Sequence, residues 1–121
     1  MPRGTAVFLG RWHFNSHEFE VWQRKDSLSE PFATGLFVRG TNGDWRVFCL
    51  NVDDFYAPNI NLIPHDSNIA VMYGSRLVGS YSVEREAFRK APHTGDMVAV
   101  SINQVPPGEW FESTYPRSGN R

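Results

Sequence analysis

Two loops carry the acidic and imidazole side chains best suited to chemistry: Asp53-Asp54, and His65-Asp66 after an intervening apolar stretch. Together they could bind a hard cation or divide the roles of general acid and base, with Asp53, Asp54 and His65 as the working set of a small metal-dependent or acid/base enzyme. The same residue types, here beside Pro58 and Pro64, also form turns, and adjacent carboxylates on an extended segment point to opposite sides. The remaining histidines are His13, His17 and His93. His13 and His17 flank a turn near Glu18 and Glu20, but a metal site needs three or four converging ligands, and no spacing typical of zinc or of an iron triad occurs. The expectation is no metal and no cofactor. Cys49, the single cysteine, lies among Val47, Phe48 and Leu50 and reads as a buried thiol; being alone, it also excludes an intrachain disulfide. With neither a nucleophile elbow nor a glycine-rich phosphate loop, catalysis has no positive support.

Large rings and arginines are more suggestive. Arg11, Trp12, Trp22, Arg39, Arg46, Tyr56 and Arg76 fall on or beside expected strands, and with Asp53 and Asp54 they are the candidate binding residues. A sheet face bearing such side chains can anchor a protein partner or stack bases, although a small β domain also needs rings to fill its interior. The formal net charge of −1 argues against a protein that binds nucleic acid mainly by neutralising phosphates. No signal peptide is evident, and no apolar run approaches the roughly 20 residues of a membrane span. A cytoplasmic protein without membrane contact is expected.

The elements that would position these residues are mostly strands. The central one is the Ala33 to Val52 hairpin, whose two apolar arms flank Asn42-Gly43 and whose second arm is apolar on both parities, as in a strand covered on both faces. Thr5 to Phe14 reads as a strand bending at Gly10, followed by a turn at Asn15-Ser16-His17. Glu18 to Arg24 then alternates, with Phe19, Val21 and Gln23 on one face and Trp22 on the wetter one. Further strand-like runs are 60–63, 69–73, 76–81 and 97–102, with turn signals between them. Val83 to Ala91 predicts a helix, capped by Ser82, with acidic residues in its first turn, basic ones in its last, and Pro92 at its end.

Residues Leu50 to Leu62, with an Asp-Asp pair, an Ala-Pro and an Asn-Leu, followed by Tyr73-Gly74-Ser75-Arg76, resemble the second half of a family of small uncharacterised β-rich proteins common on conjugative plasmids. That resemblance covers about a quarter of the chain, needs a two-residue gap, and implies a mobile-element origin without naming an activity. His13-Phe14-Asn15 and Gly95-Asp96-Met97 resemble galectin strands, but Ser16-His17 stands where that family has Pro-Arg.

The sequence therefore predicts an all-β fold: an antiparallel barrel or sandwich of seven or eight short strands with one helix before the last. Residues 1–112 form a single domain and 113–121 a C-terminal tail. The expected function is non-catalytic binding of a protein partner, in keeping with an accessory or inhibitory role for a mobile element. Single-stranded nucleic acid on an oligonucleotide-binding type of barrel is the second reading, and an open edge at Thr5 to Phe14 would allow a homodimer.

Overall fold

Asn15 and Ser16 both take left-handed backbone angles, φ 52° and 65°, so the chain reverses in two residues and sets the register of the longest hairpin. The computed structural model describes residues 5–25, 33–41, 43–50, 59–91, 96–97 and 100–102. The hairpin joins β1 (Thr5–Phe14) to β2 (His17–Lys25), pairing Phe14 with His17 and Arg11 with Glu20. Between Phe8 and Gly10 the register shifts by one, a bulge at the expected bend. Gly10 is needed there, since a Cβ would lie 2.4 Å from the Trp12 ring.

β3 (Ala33–Arg39) and β4 (Trp45–Cys49) extend the sheet, and their hairpin is closed by a Gly43 N–H donating to the Gly40 carbonyl at 3.2 Å, with Gly43 at φ 90°. The strand order of this first sheet is β1-β2-β3-β4-β10, where β10 is Val100–Ile102. The second sheet runs β5-β6-β7-β8-β9, built from Ile60–His65, Asn68–Tyr73, Arg76–Ser82, Ala87–Lys90 and Asp96–Met97. All pairings are antiparallel.

Alternation along the strands decides what lies between the sheets. Phe19, Val21, Leu36, Val38, Phe48 and Leu50 from the first sheet meet Ile60, Leu62, Ile69, Val71, Val78, Tyr81 and Phe88 from the second in one apolar cluster. Rings lock the two layers together: Tyr81 lies 5.4 Å from Phe19 and 5.8 Å from Phe48, and Phe48 lies 5.9 Å from Phe88. Gly79 permits the close passage of β8, because a Cβ there would fall 2.3 Å from the Phe88 ring and 2.7 Å from the Arg89 carbonyl. A buried Gln23 amide donates to Thr34 Oγ1 at 3.0 Å across β2 and β3. On the opposite face of the first sheet, Phe37 and Val47 are fully buried and Trp45 nearly so, so the central hairpin is covered on both sides.

Of the two alternatives, barrel or sandwich, the described residues form the second: the two sheets have separate ladders and stack without closing. Two other sequence expectations change. No helix occurs among the described residues. Ser82 does cap, its hydroxyl accepting the Arg85 N–H at 3.1 Å, but the turn stops at Glu86, whose φ of 52° reverses the chain into β8. Finally, the single strand expected over 97–102 is two short ones, β9 on the second sheet and β10 on the first. Residues 26–32 and 51–58, read as loops from the sequence, and residues 103–121, with the expected C-terminal tail, lie outside the described residues.

Candidate functional site

The outer face of the first sheet brings several of the candidate residues together. Successive rows across β1, β2 and β3 read Phe8, Trp22, Gly35; then Arg11, Glu20, Phe37; then His13, Glu18, Arg39. Phe8 is 47% exposed and its ring sits 5.2 Å from that of Trp22, tilted by 59°. The Trp22 indole N–H donates to Glu20 Oε1 at 2.8 Å, while Arg11 reaches the other oxygen through Nε at 3.0 Å and Nη2 at 2.8 Å. The Glu20 side chain is only 4% exposed and that of Arg11 is 65% exposed, so a buried carboxylate fixes an outward-facing guanidinium. In the next row Arg39 pairs with Glu18 and lies over the Trp45 ring, 5.1 Å from its centroid.

A second polar group sits between the sheets, at the end of the apolar cluster. The His17 Nδ1–H donates to the Asn15 carbonyl at 2.9 Å, leaving Nε2 buried without a hydrogen-bond partner and 3.9 Å from Glu86 Oε2. The other Glu86 oxygen holds Arg46 Nη1 at 3.0 Å. The His17 ring lies 6.3 Å from those of Phe19 and Tyr81. Burial pushes the Tyr81 phenol up to about 12; the Glu86 carboxylate adds to this and Arg46 opposes it. A glycine at position 40 borders this group, where a Cβ would meet His17 Nε2 at 3.4 Å and Glu86 Oε2 at 3.6 Å.

The structure thus divides the sequence candidates. Arg11, Trp22 and Arg39 share the outer face, whereas Trp12 packs against the apolar cluster and Arg46 serves the inter-sheet group. Arg76 is exposed at the start of β7 on the second sheet, opposite Tyr73. His65 is 83% exposed, 3.7 Å from Asp66 in the tight turn between β5 and β6. Asp53, Asp54 and Tyr56 lie outside the described residues, so the proposed acid/base set is not assembled among them. Among the described residues no group of three or more potential metal ligands occurs, and no helix is long and apolar enough to cross a membrane.

Phe8 is absent from the sequence-based candidates, and Glu18 and Glu20 enter there only as neighbours of the His13 and His17 turn, not as binding residues. Once the two-residue turn is placed at Asn15-Ser16, counting back along both arms sets Arg11 against Glu20, and period two puts Glu20 beside Trp22. Phe8 meets Trp22 only because of the bulge, which counting does not anticipate. No family model matches the chain, and no curated protein or solved structure matches it.

Proposed function

We propose that this chain is a non-catalytic binding module that acts through protein–protein contact, with the outer corner around Phe8, Arg11 and Trp22 as its contact face. The observation that carries this reading is an exposed Phe8 ring set against the half-buried Trp22, on a face whose arginines each come with their own carboxylate. Rings and arginines of this kind are typical interface anchors. Arg11 and Arg39 are each held by a glutamate of β2 rather than set in a run of cations that could track a phosphate backbone, which favours a protein over single-stranded nucleic acid. His65 and Asp66 both stand exposed in the tight turn between β5 and β6. An accessory or inhibitory role toward a mobile element, in the cytoplasm, belongs to the same proposal and rests on the plasmid-protein resemblance.

The test is affinity capture from the native host, followed by a dissociation constant measured with the purified partner. Phe8→Ala and Trp22→Ala should each weaken binding by about tenfold, the size of a modest interface anchor. Unchanged affinity in both variants overturns the assignment of this face. Salt-sensitive binding of a single-stranded oligonucleotide at Trp22, with no protein captured, would replace it with the nucleic-acid reading.

A further inference from the structure

The charges at the outer corner are layered. Glu20 lies beneath the surface while Arg11 stands 65% exposed above it, so the part of the pair that meets solvent is cationic. A guanidinium carries five N–H donors in a rigid fork. Arg11 commits Nε and Nη2 to a single Glu20 oxygen, which leaves Nη1 and the second Nη2 hydrogen directed away from that contact. In the adjacent row, the exposed Phe8 ring and the Trp22 ring form an apolar ledge. On β2 these two rows are two residues apart, about 6.8 Å, the spacing between alternate side chains of any extended peptide, while β1 crosses them in three residues through its bulge.

We propose that this corner takes an extended, acidic segment of a partner protein, which seats an apolar side chain against Phe8 and Trp22 and places a carboxylate, two residues along, on the remaining Arg11 donors. The inference rests on the binding-module reading and adds the chemistry of the partner to it. Glu20 acts as a positioning residue: its two oxygens fix the indole and the guanidinium before the segment arrives, so little side-chain entropy is lost on binding.

The probes are three capped heptapeptides: Thr-Leu-Thr-Glu-Thr-Glu-Thr, its counterpart with Lys for both Glu, and Thr-Leu-Glu-Thr-Glu-Thr-Thr, which moves the carboxylates to the other side of the strand. Binding is read from ¹⁵N–¹H spectra of the full chain. The first peptide should shift the Trp22 indole and Arg11 Nε signals and bind about tenfold more tightly than the other two. Arg11→Gln should abolish that preference with the amide dispersion intact; Arg11→Lys, which keeps the charge without the fork, should retain part of it. Equal binding of the Glu and Lys peptides, shifts located elsewhere, or no response to any peptide overturns the inference. If a captured partner still depends on Phe8 and Trp22 in that case, the binding-module reading stands without its acidic partner; if it does not, both fail. Displacement of the first peptide by a short oligothymidylate, with a higher affinity than the peptide's own, would also overturn it.

Discussion

Two arginine–glutamate pairs lie on opposite faces of the first sheet, and they differ in which partner is buried. In Arg11–Glu20 the carboxylate is 4% exposed and the guanidinium 65%; in Arg46–Glu86 the two are 34% and 39% exposed. The first joins neighbouring strands of one sheet, and the second joins the two sheets. A carboxylate withdrawn from water must keep its donors, whereas a solvated pair exchanges them for water at small cost. The same two residue types therefore form a fixed platform in one place and a weak stitch in the other.

The largest contrast concerns the faces themselves. Phe48→Ala removes a ring from the inter-sheet cluster and should cost about 3–5 kcal/mol, whereas Phe8→Ala, on the exposed corner, should cost under about 1 kcal/mol. Urea midpoints compare them, and a Phe8→Ala loss as large as that of Phe48→Ala would mean that the corner belongs to the core. Next come the two pairs. Glu20→Gln leaves Arg11 and the indole with a poorer acceptor in a buried place and should destabilise by about 1–3 kcal/mol, against about 0.5 kcal/mol or less for Glu86→Gln. Equal losses would erase the distinction.

The third test is directional and concerns pH. The folded-state pKa of Tyr81 is raised above its ordinary value of 10.0 to about 12, so the folded protein retains a proton that the unfolded chain gives up. Its contribution is fully present below pH 10 and is lost as pH rises toward 12. The midpoint should fall further between pH 9 and pH 11 in the native protein than in Tyr81→Phe. In Glu86→Gln the tyrosinate absorbance should develop at lower pH, because the neighbouring negative charge is gone; an unshifted titration would show that burial alone sets it.

Local signals in the sequence were sufficient wherever one turn or one alternation decided the outcome. The bend at Gly10, the reversal after Phe14, and the two apolar faces of the central hairpin were all legible for that reason, although the turn read as Asn15-Ser16-His17 gives up His17 to β2. Val83 to Ala91 misled because its Ser82 cap is real and its charges do suit a helix. Nine residues cannot separate a helical stripe from a turn and a strand, however, and nothing about a glutamate announces the left-handed geometry adopted by Glu86. The inter-sheet group was illegible on different grounds. His17, Arg46, Tyr81 and Glu86 come from distant parts of the chain and converge only when the sheets stack. On the outer corner, Arg11, Trp22 and Arg39 were legible as residue types, but the carboxylates that pair with the two arginines depend on cross-strand register.

The order of strands also has a kinetic meaning. Among the described residues every ladder except that of β4 with β10 joins strands that follow one another in the chain, so each sheet can start from its own hairpins without searching for distant partners. The pairing of Val100 with Val47 spans the entire second sheet and carries the largest loop-closure entropy. It is the contact that must wait, and until it forms β4 presents an unpaired edge on which a second chain could nucleate.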